Sequence, residues 1–277
     1  MTASSGTDLD ELDRMSFSHP GITAQLKSGS TFAVSVAADV PVGVYEVTVH
    51  GLYGTSNPRS FVVGSLPEVQ ENDANDSQEK AQAIEIGSVV NGRSNRGADV
   101  DFFKVNGRKG QRLLIECQAL RIDSQFQAEL RLYSQTGRRI GRSVAQFRTH
   151  DPILDVTFPE DGDYFIRASD FVYGGSNDYG YRLKVHTGPH VDFVIPPAGV
   201  PGSKARYTLI GRNLPGSQPA GIGADGRQLE KLDVEIALPN KPTELDPGQT
   251  AFSFESTLDG ASFVFQGANG DANPVTV

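Results

Sequence analysis

Apolar residues along this chain alternate with polar ones at a period of two, the spacing of half-buried β-strands. The clearest run is Phe32, Val34, Val36 and Ala38, which would share one strand face. The same alternation recurs at 45–49, 113–119, 130–132, 164–168 and 179–185, with glycine-rich turns between the runs. The pattern predicts an all-β protein of antiparallel sandwiches. Only 77–86 favours a helical turn or two, with Ser77 as the capping residue.

Two turn-rich stretches divide the chain into three segments. The first is 64–75, and the second is 188–202, which contains four prolines. They predict all-β domains at 1–64, 65–187 and 188–277. An Asn-Pro turn followed by a short strand occurs at 57–63 and again at 273–277. We therefore expect the outer segments to be related modules and the chain to be a piece of a longer multi-module protein.

The charge balance excludes several kinds of partner. With 25 Lys and Arg against 34 Asp and Glu, the net charge is -9. Nucleic acid and anionic membranes require a basic face, so neither is an expected partner. No apolar run approaches the roughly 20 residues that a membrane-spanning helix needs, so no membrane insertion is expected. Cys117 is the one cysteine and alternates with Leu113 and Ile115, which predicts a buried small hydrophobe.

The middle segment carries an ordered set of motifs. They read ENDANDS at 71–77, AQ at 81–82, VNG at 90–92 and DVDFF at 99–103. This series resembles the bacterial pre-peptidase C-terminal domain, which typically reads E-x-E-P-N-D, A-x-x-apolar, V-x-G and G-D-x-D followed by two aromatics. Pieces at 110–113, 132–137, 161–167 and 178–183 also fit, so the resemblance covers about 65–187. The chain departs from the pattern at Asp73, Ala74 and Ala98, where Glu, Pro and Gly are usual.

The resemblance implies a jelly-roll β-sandwich for 65–187. The segments GRNLPG at 211–216 and PVGVYEV at 41–47 look like immunoglobulin-like modules of the IPT/TIG kind. The expected fold is therefore a jelly-roll sandwich between two Ig-like sandwich modules. Such combinations are similar to secreted or surface proteins of environmental bacteria, which implies an extracellular or cell-surface location. Residues 1–13 lack the basic start and apolar stretch of a signal peptide, so we expect a longer precursor to supply the export signal.

Acidic and amide residues gather at the start of the middle segment. In an extended chain Glu71, Asp73 and Asn75 would project to one side. Ca²⁺ takes six to eight oxygen ligands, and neither His nor Cys lies nearby to favour zinc. In the related collagen-binding domains of clostridial collagenases the matching acids bind calcium and order a linker. The candidate calcium ligands are Glu71, Asp73, Asn75, Asp76, Asp99 and Asp101. The alternative is a solvated acidic linker in which Asp76 and Asp99 cap turns.

Catalytic motifs are not found in the sequence. None of the five histidines lies in a G-x-S-x-G, H-E-x-x-H or C-x-x-C context. His186 and His190 have the spacing of a helical metal pair, but Thr187, Gly188 and Pro189 between them exclude a helix. We therefore expect this pair to form a linker at a strand end and the chain to be no enzyme.

The sequence thus favours a non-catalytic secreted or surface module for binding or presentation. A calcium ion would order the 65–76 linker between the first two modules. Its partner would be an extracellular protein or polymer, either collagen-like or a polysaccharide. One alternative is an accessory region of a secreted peptidase whose catalytic domain lies outside this chain. Another is a carbohydrate-binding module, which requires an exposed ring at Tyr173 or Tyr179.

Overall fold

A computed structural model describes residues 2–3, 10–145, 151–223, 225–240 and 260–277. Within these ranges the chain forms β-strands and two 3₁₀ turns, with no α-helix, so the all-β class is confirmed. None of the described segments is a helix long and apolar enough to cross a membrane. The chain divides into two compact units. They are Met1–Ser65 with Pro239–Ser262, and Leu66–Leu238 with Phe263–Val277.

The first unit contains seven short strands. They are β1 (Thr2–Ala3), β2 (Arg14–Phe17), β3 (Ile22–Ser28), β4 (Thr31–Val36), β5 (Gly43–Gly51), β6 (Gly54–Thr55) and β7 (Arg59–Val63). One sheet has the order β1-β4-β3, and a second has the order β2-β5-β6 with β7 also paired to β5. Phe32 and Tyr45 are fully buried and centre two small hydrophobic clusters, as the alternation of these strands predicts.

The second unit begins with ten strands that form two five-stranded sheets. They are β8 (Glu68–Gln70), β9 (Gln82–Ala83), β10 (Ser88–Arg93), β11 (Val100–Gly107), β12 (Arg112–Gln118), β13 (Ala128–Ser134), β14 (Arg139–Val144), β15 (Ile153–Thr157), β16 (Gly162–Asp170) and β17 (Gly180–His186). The sheet orders are β15-β12-β17-β10-β8 and β14-β13-β16-β11-β9. The expected helical segment reduces to one 3₁₀ turn, Gln78–Lys80, and the Ser77 side chain makes no capping bond.

The two five-stranded sheets enclose one hydrophobic core, so the β-sandwich fold is confirmed. Phe103 and Ile166 from one sheet and Leu113 and Leu183 from the other are fully buried in it. Inward-facing side chains alternate along each strand because successive residues point to opposite faces. Cys117 is buried in this core as expected, and burial raises the pKa of its thiol well above the ordinary value.

Eight further strands follow in the described residues, and all lie in the second unit except the fifth, which spans the boundary between the units. They are β18 (His190–Ile195), β19 (Lys204–Arg212), β20 (Gln218–Ile222), β21 (Gln228–Ala237), β22 (Ser262–Phe263), β23 (Gln266–Gly267), β24 (Gly270–Asp271) and β25 (Val275–Thr276). The main sheet has the order β18-β19-β21-β20, and Tyr207 and Leu209 anchor its own hydrophobic cluster. This unit contains residues 66–187 of the predicted middle segment and residues 188–238 and 263–277 of the third, and the boundary at 187 stays a prediction.

Both faces of β12 are buried, although its sequence predicts one. Leu113, Ile115 and Cys117 face the sandwich core, while Leu114 and Glu116 point the other way and are also buried. The outward face is covered because residues of the later strands contact it. His190 of β18 meets Glu116, and Glu230 of β21 forms an ion pair with Arg112.

Ala98 adopts a left-handed conformation that favours glycine. Its φ is 59°, its methyl group is exposed, and its N–H donates to the carbonyl oxygen of Tyr173 at 3.0 Å. An alanine in the left-handed conformation costs about 1–2 kcal/mol. Glycine removes this cost, but the greater conformational entropy that glycine gives the unfolded chain offsets part of the gain. We expect Ala98→Gly to raise the free energy of unfolding by about 0.5–1 kcal/mol in urea denaturation. Equal or lower stability would show that this conformation is not strained.

Candidate functional site

Asp101 is the inward-facing acid at the start of β11. It occupies the same strand face as Phe103 and Val105, so the alternation that builds the core also buries its carboxyl group. The hydroxyl of Tyr181 donates to Asp101 Oδ2 at 2.7 Å. Glu71, which follows β8, is hydrogen-bonded to the same carboxyl group, and its Oε2 accepts the N–H of Arg93 at 2.7 Å. Two buried carboxyl groups therefore meet at the end of the sandwich.

Such a pair cannot carry two negative charges without compensation. Burial, followed by the hydrogen bond and charge of Glu71, raises the pKa of Asp101 to about 9. Burial and the charge of Asp101 likewise raise the pKa of Tyr181 well above its ordinary value. At neutral pH Asp101 therefore keeps its proton, which it donates to Glu71.

Asn75 and Asp99 flank the Glu71–Asp101 pair. The carbonyl oxygen of Asn75 accepts the N–H of Phe102 at 2.9 Å, and its Nδ2 donates to the carbonyl oxygen of Phe102 at 3.4 Å. Its Oδ1 is buried and has no hydrogen-bond partner. Asp99 is buried, with Oδ2 accepting the N–H of Asn95 at 2.8 Å and Oδ1 lying 3.2 Å from Arg96. Leaving a buried carbonyl oxygen without a hydrogen-bond partner is costly.

The remaining two candidate ligands lie outside this buried group. Residues 73–74 form a turn, in which the N–H of Ala74 donates to Asn72 Oδ1 at 2.8 Å, so the segment is not extended as the sequence argument assumes. Asp73 is exposed and accepts from Asn95 Nδ2 at 3.0 Å. Asp76 is exposed and pairs with Arg96 at 2.9 Å.

We name Glu71, Asn75, Asp99 and Asp101 the acidic site. Across the described ranges, no three His, Cys, Asp or Glu side chains are already arranged to hold a metal ion. The carboxyl groups of the acidic site are instead bonded to each other, to backbone N–H groups and to Arg96. Its chemistry is nevertheless oxygen-only and acidic, as hard cations require.

Gly92 of the VNG motif allows Tyr181 to reach the acidic site. A Cβ atom at position 92 would lie 2.3 Å from the Tyr181 ring, on the neighbouring strand. The glycine therefore leaves room for the ring that donates to Asp101. This contact gives a physical reason for glycine at the third position of the motif.

A second buried cluster surrounds Glu116. The Nε2 of His186 lies 2.6 Å from Glu116 Oε1, and Lys184 Nζ lies 3.5 Å from the same oxygen. His190 Nδ1 lies 3.2 Å from it without forming a hydrogen bond. Burial alone would raise the pKa of Glu116, but the attraction of His190 and Lys184 and the bond from His186 hold it well below its usual range. The local sequence gives no sign of this cluster, because the residues between the two histidines predict only a linker.

Among the described residues of the first unit, a serine lies next to a histidine without the carboxylate that would complete a catalytic triad. Ser16 Oγ lies 3.0 Å from His50 Nε2. The other ring nitrogen meets the hydroxyl of Thr55 at 2.9 Å and the guanidinium of Arg14 at 3.3 Å. A triad would place a carboxylate there to orient the ring and stabilise its charged form.

No protein-family model and no curated protein matches this chain. Solved structures are similar at low identity. The pre-peptidase C-terminal domain of a Bacillus anthracis collagenase is 16% identical with a TM-score of 0.31, covering 38% of this chain and 93% of that one. The M60 catalytic domain of Clostridium perfringens ZmpB with its CBM51-1 and CBM51-2 domains is 11% identical with a TM-score of 0.24, covering 78% of this chain and 36% of that one.

A third similar structure is the Bacteroides ovatus SGBP-B from a mixed-linkage glucan utilization locus, in complex with a heptasaccharide. It is 14% identical with a TM-score of 0.17, covering 99% of this chain and 61% of that one. The chain thus spans less than two thirds of the second and third structures. The first of these structures is itself a pre-peptidase C-terminal domain, and the flanking Ig-like modules stay predictions.

Proposed function

We propose that this chain is a non-catalytic extracellular or cell-surface binding module whose sandwich holds one structural Ca²⁺ at the acidic site. The observation that carries the proposal is the fully buried Asn75 Oδ1, which has no hydrogen-bond partner. Asn75 is hydrogen-bonded to the backbone of Phe102, the residue after Asp101. Glu71, Asp99 and Asp101 are buried as well, and the first two act on the carboxyl group of Asp101.

The donor set suits calcium rather than a softer metal. Carboxylate and amide oxygens are hard ligands, and no imidazole or thiol belongs to the acidic site. Glu71, Asp99 and Asp101 would supply charge, and Asn75 would supply its Oδ1. The ion would compensate the buried carboxylates and hold the 71–75 segment against β11. Asp73 and Asp76, which pair with Asn95 and Arg96, would add negative charge around the site.

An extracellular location fits this chemistry. A site that must displace the proton of Asp101 and the Arg96 contact binds weakly, in the range of extracellular calcium modules, about 10⁻⁴–10⁻³ M. Free calcium reaches such levels outside cells. The role is structural, because the acidic site contains no nucleophile next to a histidine base.

Thermal unfolding in EDTA and in excess CaCl₂ tests the proposal. A ligand that binds only the folded state adds about 2.7 kcal/mol at a hundredfold excess over its Kd, which raises the melting temperature of a domain this size by several degrees. We expect that rise in the wild-type chain and its loss in Asp99→Asn.

The matched control is Asp163→Asn, which removes a half-exposed acid on β16 that pairs with Lys104. This variant should keep the full calcium response, and MgCl₂ at equal ionic strength should give little. Wild-type melting that is unchanged by calcium would refute the proposed site.

A further inference from the structure

Three consecutive apolar residues are exposed to solvent on the loop between β16 and β17. Phe171 is 47% exposed, Val172 57% and Tyr173 69%. We call these residues the 171–173 tip. Tyr179, the other ring weighed in the sequence, packs against the sandwich core, and Tyr181 is fully buried. The tip therefore presents apolar surface that the core does not use.

The tip is held by a buried carboxylate. Asp170 Oδ1 accepts the N–H of Val172 at 3.0 Å and that of Gly174 at 2.7 Å. Its Oδ2 accepts the N–H of Gln127 at 2.7 Å, and the N–H of Phe171 donates to the Gln127 carbonyl oxygen at 2.7 Å. Both ends of the exposed turn are thus fixed to β13 and β16.

A second set of contacts fixes the other side of the loop. The carbonyl oxygen of Tyr173 accepts from Ala98, and that of Gly174 accepts from Ser94 Oγ at 3.1 Å. A Cβ at Gly175 would lie 1.9 Å from the Arg96 carbonyl oxygen, so only glycine fits this close approach. Tyr173 itself has a φ of 62°. Strain of this kind persists only where surrounding contacts over-determine it, and it concentrates at ligand-binding sites.

A rigid exposed aromatic surface suits weak binding of an extended ligand. Because the backbone that carries the rings is already held in place, binding costs little loop entropy. The face of each ring is electronegative and attracts the C–H face of a pyranose. Asn177 and Asp178 are exposed on the same loop and can bond sugar hydroxyls. The acid at 178 and the net charge of -9 disfavour polyanions and anionic lipid.

We propose that the 171–173 tip binds a neutral polysaccharide. Phe171 and Tyr173 stack on its pyranose rings, and Asn177 and Asp178 bond its hydroxyl groups. This inference rests on the proposed function as a non-catalytic binding module and names the ligand class of that module.

Native affinity electrophoresis of the full chain tests this proposal. Each gel contains a single polymer, which is mixed-linkage β-glucan, xylan, glucomannan, starch or fully N-acetylated chitosan. We expect retardation by at least one of these polymers and a loss of affinity of about tenfold or more in Phe171→Ala and Tyr173→Ala. The control is Tyr53→Ala, which removes an equally exposed tyrosine, 67% exposed, from the first unit and should bind as the wild type does.

Other outcomes overturn the inference. They are no retardation in any neutral polymer, or retardation that survives both tip substitutions while thermal unfolding shows that the variants are folded. Tip-dependent binding to hyaluronan, to triple-helical collagen peptide or to phosphatidylserine vesicles in place of neutral polymers also overturns it. The calcium response of the same preparations separates the two proposals. If calcium stabilises the chain but no neutral polymer retards it, only the proposal that the 171–173 tip binds a polysaccharide is refuted.

Discussion

Glu116→Ala is expected to lower the free energy of unfolding by about 3–5 kcal/mol at pH 7.5. The carboxylate is fully buried and accepts from His186 at 2.6 Å, with Lys184 at 3.5 Å. Truncation leaves the buried His186 without its acceptor and the half-buried Lys184 without its ion-pair partner, and it opens a cavity on the outer face of β12. Urea denaturation followed by circular dichroism measures the loss. The variant Glu116→Gln, which keeps an acceptor oxygen, should lose about half as much.

The pH dependence of the wild type follows from the same cluster. The depressed pKa of Glu116 contributes stability that is present above its ordinary value near 4.5 and is lost as the pH falls. Burial lowers the pKa of His186 from 6.5, so the unfolded chain takes up a proton there first. The His186 effect makes the second unit less stable below about pH 6.5, and the Glu116 effect adds to this loss below about pH 4.5.

An exposed pair provides the control for Glu116. Glu235 meets Lys204 at 2.9 Å, and both side chains are exposed. Glu235→Ala should therefore change stability by about 0.5 kcal/mol or less. If Glu116→Ala has an equally small effect, the buried cluster contributes nothing to the folded state.

Asp101→Asn is expected to stabilise the chain in EDTA by about 2–4 kcal/mol at pH 7. A carboxyl group whose pKa is about 9 when folded and 3.8 when unfolded must take up a proton on folding. Its stabilising contribution is complete below about pH 4 and falls as the pH rises towards 9. Asparagine reproduces the protonated form, because Nδ2 can donate to Glu71 and Oδ1 can accept from Tyr181. The gain should therefore grow from pH 4 to pH 9.

The same variant should lose its response to calcium, because it lacks one of the charges that hold the ion. In excess CaCl₂ the wild type should recover the stability that it lacks in EDTA. Urea denaturation at pH 5, 7 and 8.5, with and without calcium, measures both effects, and Asp163→Asn again serves as the control. An Asn variant that is less stable than the wild type in EDTA would contradict the assignment of a proton to Asp101.

The sequence predicts the strands well where one face of a sheet is buried. The alternation of Leu113, Ile115 and Cys117 places all three in the core. The alternation does not predict that Glu116 is buried. The later strands cover the opposite face of β12, and contacts with distant strands produce no periodic pattern in the local sequence. The sequence between His186 and His190 excludes a helix and therefore a helical metal pair. Two strands joined by a short turn nevertheless bring both rings to the carboxylate of Glu116.

The sequence predicts which residue types form the acidic site, but it does not predict which of their side chains lie together. Reading 71–75 as extended puts Asp73 with Glu71 and Asn75, but the turn that Asn72 forms with Ala74 moves Asp73 to the surface. No local signal indicates that Asp101 would point inward next to Glu71, since that contact depends on the pairing of distant strands. The glycine usual at position 98 was a better guide, because Ala98 adopts the left-handed conformation that glycine favours.

Calcium titration calorimetry at pH 7 tests whether the acidic site binds Ca²⁺. The wild-type chain is titrated with CaCl₂ in two buffers of different ionisation enthalpy, and Asp101→Asn is titrated in parallel. Because the ion takes the place of the proton that Asp101 donates to Glu71, we expect one site with release of about one proton per ion, and no binding to the variant. The absence of binding at millimolar calcium, or equal binding to Asp101→Asn, would contradict the account.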